Sequence, residues 1–203
     1  MADWKKLLDA SSGDIRRLSH VVRYSSIPVC VSENVAEHSY FVSLYALMIH
    51  QVMRPENTEL IGAIVVHALL HDVAEAKTGD VVRTFKYSSE ALKREIDFAE
   101  EKIIEGFDVC IKQAYSVSTS LSRGNEDYVK KVVKAADFLS LQQYMVREYK
   151  RGNQEIYPYF ELMLKDLMSM SAIMSNDQSS FGYEFSLLYE EMYLNAKQLK
   201  GTK

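Results

Sequence analysis

The chain has 203 residues, 47% of them hydrophobic and 26% charged, with a formal net charge of -4. That length suits one domain able to bury a sizeable core, and the balance excludes a disordered or low-complexity chain. The mild negative charge speaks against broad binding to nucleic acid or to a membrane surface.

No apolar run approaches the ~20 residues that span a bilayer. The two cysteines, Cys30 and Cys110, provide neither a disulfide framework nor a zinc-type cysteine pair. With no apolar leader in Met1–Lys6, the expected setting is the reducing cytoplasm.

Helical periodicity dominates and strand-like alternation is hard to find. A short helix is predicted over Asp14–Val22, then a loop through Pro28. The next helix opens at Asn34, an N-cap residue with Glu37 three positions on, and runs to Met53 ahead of Pro55. A third is predicted from Thr58 to Lys77, with Gly79 as its stop. A loop follows at Asp80–Tyr87, then a helix at Ser88–Gly106. The serine-rich stretch Ser116–Asn125 reads as a loop. A long helix is predicted over Asp127–Lys150, and two more over Glu155–Met174 and Gly182–Leu199. The expected fold is all-α, a single bundle of about seven helices, with its core at 14–150 and C-terminal helices at 155–200.

Several predicted helices point polar groups at the core. His38 sits on the apolar stripe Val35, Val42, Tyr45 and Ile49. The apolar run Ile61–Val66 leads into His67, His71 and Glu75, one turn apart, with Asp72 beside His71. Asp137 follows Ala135-Ala136 on the long helix. A carboxylate buried alone is costly, so partners are expected. One divalent metal would satisfy all of these groups, and mixed His and Asp ligands suit Mn, Fe, Co or Zn better than Ca. Mutual hydrogen bonding among core residues is the competing explanation. His67 and His71 lack the His-Glu-x-x-His pattern of metalloproteases, so His67 is expected to be structural.

The order His38…His71-Asp72…Asp137 resembles the signature of HD-domain phosphohydrolases. The longer strings Glu33-Asn-Val-Ala-Glu-His-Ser39 and His71-Asp-Val-Ala-Glu-Ala-Lys-Thr-Gly-Asp80 resemble the YfbR-like 5'-deoxynucleotidase subfamily, a pattern shared by phage dATP triphosphohydrolases. The resemblance covers about Ile15 to Tyr149. It implies a metal held by His38, His71, Asp72 and Asp137, and commonly a homodimer. It further implies Arg23 and Lys86 as phosphate contacts, Thr78 as a further substrate contact, Glu75 as the residue that positions the attacking water, and Asp80, after Gly79, as a catalytic acid. Where the family carries Arg-Trp-Pro this chain has Arg23-Tyr24-Ser25, so Tyr24 takes the place of a tryptophan that packs on deoxyribose. The proline-free run Val81–Lys86 departs from the family's loop and is expected to be less rigid, with Arg83 as an added phosphate contact.

The resemblance thus implies attack at the 5' α-phosphate of a deoxynucleotide, a monophosphate first and a triphosphate as the alternative, with Mg on the substrate phosphates as a further expectation. A nucleotide-binding HD module without turnover is the non-enzymatic alternative.

Overall fold

The computed structural model describes residues 14–107 and 109–201; the Met1–Lys6 segment lies outside them. Among the described residues there are nine α-helices and no paired strands. These are α1 (Val35–Met53), α2 (Ile61–Leu70), α3 (Glu75–Thr78), α4 (Arg83–Lys86), α5 (Glu90–Gly106), α6 (Val109–Leu121), α7 (Glu126–Lys150), α8 (Tyr157–Ser175) and α9 (Gly182–Gly201). Two 3-10 segments, Asp14–His20 and Thr58–Leu60, precede α1 and α2. None of the helices is long and apolar enough to cross a membrane.

The N-terminus of α1 is closed by a reciprocal cap. The Glu37 N–H donates to the Asn34 side chain at 2.9 Å, and the Asn34 N–H donates to the Glu37 carboxylate at 3.3 Å. From there, Val42, Ala46 and Ile49 of α1 meet Ala63, Ile64 and Ala68 of α2 and Val132, Val133 and Ala136 of α7 in one buried core. Helices α8 and α9 pack on each other and on α7, and add Phe160, Leu167, Phe185 and Tyr189 to that core. Each large side chain buried there contributes roughly 1.5–3 kcal/mol. A second, smaller cluster of Leu18, Val35, Val73, Ala76, Phe107 and Ile111 lies under the turns that follow α2.

The structure departs from the sequence-based elements in three places. The helix expected over Thr58–Lys77 divides: α2 ends at Leu70. The turns after it are closed by i→i+3 bonds, from the Val73 N–H to the Leu70 carbonyl (3.1 Å) and from the Glu75 N–H to the Asp72 carbonyl (3.0 Å). Winding of three residues per turn stacks Val73 over Ala76, and both enter the second cluster. Gly79 then ends α3 at φ +73°, a left-handed conformation that glycine adopts without Cβ strain.

The run at Asp80–Tyr87, expected as a loop, contains α4. Without proline its N–H groups remain available, and those of Phe85 and Lys86 donate to the Val82 carbonyl at 2.9 and 3.0 Å. These two bonds close a helical turn in place of the expected loop. The stretch expected as a loop at Ser116–Asn125 is helical as far as Leu121. Ile111 enters the second cluster, and Leu121 lies over Gly62 of α2, 3.7 Å from where a Cβ would stand. That packing outweighs the weak helix propensity of the serines and threonines.

Candidate active site

Three helical segments converge on one point. α1 supplies His38, fully buried; the turns after α2 supply His71 and Asp72; α7 supplies Asp137. The His38 Nε2 lies 3.3 Å from Asp137 Oδ1 and 3.7 Å from Asp72 Oδ2, and the His71 Nε2 lies 3.0 Å from Asp72 Oδ2. His38, His71 and Asp137 each offer a ligand atom, all within 4.8 Å of one another. Asp72 stands at the edge of that group.

His50 shows what a satisfied core imidazole looks like. Its two nitrogens meet the Tyr128 hydroxyl at 2.9 Å and the Asn57 carbonyl at 2.6 Å. His38 and His71 differ from it. Their Nδ1 atoms are engaged, with the Ser140 hydroxyl (3.1 Å) and the Ala68 carbonyl (2.6 Å), but both buried Nε2 atoms lack a hydrogen-bond partner. The Ala68 carbonyl can only accept, so the His71 Nδ1 carries a proton and Nε2 is the atom turned toward the carboxylates. Buried nitrogens are seldom left unsatisfied. Two such Nε2 atoms facing two carboxylates suit a divalent metal, with Ala68 and Ser140 fixing the rings from behind. The residues present therefore fit the metal that the sequence implies.

The charges of His38 and Asp137 agree with this assignment, while at His71 burial lowers the imidazole and Asp72 and Asp137 more than offset it, raising it. Burial, then the nearby Arg23 guanidinium, pull the His38 imidazole down to about 4, so it is neutral at pH 7, as a ligand must be. Burial pushes the Asp137 carboxyl up, but Lys134 and His38 overcome this and hold it well below the usual carboxylate range. The Lys134 ammonium donates to Asp137 Oδ2 at 2.8 Å.

Arg23 and Tyr24 occupy the segment between the first 3-10 helix and α1. An isolated bridge pairs Val22 with Asn34, and the Arg23 N–H donates to the Glu33 carbonyl at 2.9 Å. The Arg23 side chain is 12% exposed; its Nε lies 3.4 Å from the Glu33 carboxylate and its Nη1 3.6 Å from Asp72. Glu33 thus holds both the backbone and the head of Arg23. Tyr24 adopts φ +58°, a conformation that non-glycine residues rarely take. Two contacts keep it there. Its N–H donates to Asp80 Oδ2 at 3.0 Å, and its ring stacks on Tyr144 with centroids 4.4 Å apart.

The site opens into a cleft of about 590 Å³, within the range of small-molecule pockets. Arg23, Tyr24, His71, Asp72, Glu75, Asp80, Arg83, Lys86 and Asp137 all line it. Thr78 does not; its hydroxyl donates to the Gly79 carbonyl on an exposed turn. Lys86 is bound to Glu100 at 2.7 Å and lies 3.4 Å from Asp97, while Arg83 pairs with Asp166 of α8 at 3.0 Å. Burial, then Asp72 and Asp80, push the Glu75 carboxyl up to about 9. Burial likewise raises the Asp80 carboxyl.

Sequence alone did not point to Glu33, Ser140, Lys130 or Lys134, although all but Glu33 lie one or two turns from Asp137 on α7. His67, expected to be structural, lines the cleft. The C-terminal part, which carries no sequence motif, supplies Tyr159, Leu162, Met163 and Asp166 to the same wall.

The family model for YfbR-like 5'-deoxynucleotidases matches residues 12–184. A 5'-deoxynucleotidase of Pectobacterium atrosepticum is 29% identical over 70% of this chain and 73% of its own. Another, from Photobacterium profundum, is 25% identical over 88% of this chain and 95% of its own. A dATP triphosphohydrolase of Salmonella phage PMBT28 is 30% identical over 50% of this chain and 59% of its own. Among solved structures, the cyanophage S-2L HD phosphohydrolase, bound to dA and one catalytic Zn2+ ion, covers 100% of this chain and 98% of its own with a TM-score of 0.58 at 17% identity. An HD-domain phosphohydrolase from Listeria innocua covers 94% of this chain and 98% of its own with a TM-score of 0.60 at 20% identity, so both share the fold. With its all-α fold, its cluster of His38, His71 and Asp137 and a match across most of its length, the chain belongs to the YfbR-like 5'-deoxynucleotidase family of metal-dependent HD phosphohydrolases.

Proposed function

We propose that this protein hydrolyses 2'-deoxynucleoside 5'-monophosphates to the deoxynucleoside and phosphate. The observation that carries the proposal is the pair of buried Nε2 atoms without a hydrogen-bond partner, which converge with two carboxylates beside a cleft that Arg23, Arg83 and Lys86 line. His38, His71, Asp72 and Asp137 would hold a divalent transition metal: Co, Mn, Zn or Fe. Such an ion supplies Lewis acidity toward a phosphoryl oxygen and acidifies water.

The remaining work falls to the chain. Arg23, buried and aimed by Glu33, binds phosphoryl oxygens and offsets their charge. Glu75, which lines the cleft one turn after His71, orients the attacking water and, in its ionised form, accepts the proton that water gives up. As the new P–O bond forms and the bond to the 5'-oxygen breaks, Asp80 gives the leaving oxygen a proton. Tyr24, stacked on Tyr144, walls the sugar. Arg83 and Lys86 complete the phosphate side of the cleft, with Thr78 supporting the turn that carries Asp80.

The homo-oligomer expected of the family is supported by an exposed apolar stripe on α1: Tyr40, Leu44, Met48 and Val52. A cytoplasmic setting is in keeping with the exposed free Cys30. Attack on a triphosphate, with release of tripolyphosphate, is the second reading; Lys130 and Lys134 in the cleft favour it. A panel of dNMPs, NMPs and dNTPs with Mn, Co, Mg and Zn, scored for nucleoside release, tests the proposal. Release from dNMPs ahead of NMPs is expected; no release from any deoxynucleotide would overturn it.

A further inference from the structure

Among the described residues, Tyr24 is the one non-glycine that holds a positive φ, +58°. Strain of this kind persists only where surrounding contacts over-determine it, and such residues cluster at active sites. Every part of Tyr24 that can bind is in use. Its N–H donates to Asp80 Oδ2 at 3.0 Å, across 56 residues of chain. Its carbonyl accepts from the Ile27 N–H at 2.9 Å. Its ring stacks on Tyr144, and its hydroxyl accepts from the Arg23 Nη2 at 3.2 Å. Because φ is the torsion about N–Cα, it sets where the side chain stands relative to the N–H. The left-handed value lets one residue aim its N–H at Asp80 while its side chain meets Tyr144 and Arg23.

Asp80 and Arg23 act on the two sides of the bond that breaks. Asp80 passes a proton to the leaving 5'-oxygen and becomes a carboxylate as it does so. Its Oδ2 already accepts the Tyr24 N–H, so the proton is carried by Oδ1, and the same N–H stabilises the charge that forms. Arg23 has Glu33 and Asp72 nearby as charges, at 3.4 and 3.6 Å, but its buried Nε makes no hydrogen bond. The bond from Nη2 to the Tyr24 hydroxyl is what directs the guanidinium. Burial pushes the Tyr24 phenol up to about 12, so it meets Arg23 as a neutral hydroxyl at pH 7.

We propose that Tyr24 is a positioning residue for both groups: its left-handed backbone sets the Asp80 carboxyl so that Oδ1 faces the leaving oxygen, and its hydroxyl turns the Arg23 guanidinium toward the phosphoryl oxygens. This rests on the phosphohydrolase activity proposed above. The strain at Tyr24 then ties two segments far apart in the chain, Arg23–Tyr24 and Gly79–Asp80, into one catalytic unit.

Tyr24→Gly and Tyr24→Val separate the backbone from the side chain. Both remove the ring and the hydroxyl, but glycine accepts a positive φ and a β-branched residue resists it. With Mn or Co, kcat for dAMP is expected to be on the order of 10²-fold lower in Tyr24→Val than in Tyr24→Gly, the usual cost of displacing a reacting group by about 1 Å. The ester para-nitrophenyl phosphate, whose phenolate leaves without a proton, should be turned over alike by the two. When each is combined with Asp80→Asn, the difference on dAMP should vanish. Equal kcat on dAMP overturns the role of the backbone, as does a difference that persists on para-nitrophenyl phosphate or beside Asp80→Asn. Tyr24→Phe tests the hydroxyl, because it keeps the ring. It is expected to bind inorganic phosphate about tenfold more weakly in calorimetry on the metal-loaded protein, the loss of one charge-assisted bond. An unchanged affinity overturns the hold on Arg23. If the wild type releases no nucleoside from any deoxynucleotide, the phosphohydrolase reading falls and the placement of the acid with it, while the calorimetry still decides the hold on Arg23.

Discussion

Glu148, about three turns beyond Asp137 near the end of α7, is fully buried and fixes the loop that leads from Tyr24 to Glu33. Its carboxylate accepts from the Cys30 N–H (2.6 Å), the Val31 N–H (3.2 Å) and the Asn153 side chain (2.8 Å). Hydrogen bonds to a charged acceptor contribute roughly 1.5–3 kcal/mol each and do not simply add. Glu148→Ala strands two backbone donors, so the expected loss is about 3–5 kcal/mol, comparable to removing one partner of a buried pair. A domain of this kind has ~5–15 kcal/mol of stability, so the variant is expected to fold.

Urea denaturation followed by far-UV circular dichroism at pH 7 gives the first readout. Elemental analysis and nucleotide KM give the others: the metal is expected to stay, because its ligands lie on α1, α7 and the turns after α2, while KM rises as Arg23 loses its support. Burial pushes the Glu148 carboxyl up, but the Cys30 N–H and Asn153 hold it below its ordinary value. A group whose folded pKa lies below its unfolded value stabilises fully above the unfolded pKa, ~4.3 for glutamate, and loses that contribution as pH falls through the folded value. The gap between wild type and variant should therefore narrow below about pH 4. A loss under about 0.5 kcal/mol at pH 7, the size of an ordinary surface substitution, would refute the clamp, as would a gap that widens toward acid.

Three further outcomes follow from the same structure. Asp72→Ala should lower both bound metal and phosphate release; retained metal with full activity would remove Asp72 from the ligand set. Glu75→Gln should keep the metal and the fold but reduce turnover by ~10²–10⁴-fold, the usual share of a general base, and the loss should appear in kcat more than in KM. Phe160→Ala, in a fully buried core position against Tyr149, should cost about 3–5 kcal/mol in urea denaturation with the metal content unchanged.

The amino-acid sequence by itself determined the helical class, the capped start of α1, the stop at Gly79 and the order of His38, His71, Asp72 and Asp137. Each rests on local chemistry that spacing records: apolar period, N-cap side chains and a positive-φ glycine. The break after Leu70 was hidden, because Val73 and Ala76 continue an apolar pattern that α-helical and 3-10 winding both satisfy. Only the second core cluster selects the tighter turn there. The helix at Arg83–Lys86 and the extension of α6 to Leu121 were likewise decided by backbone donors and by packing on Gly62, which local propensity does not register. Only the tertiary structure decided which imidazoles lack a partner. His50 and His38 lie on the same helix and look alike in sequence; Tyr128 and Asn57 satisfy the first, while the Nε2 of the second has no hydrogen-bond partner and lies 3.3 Å from Asp137.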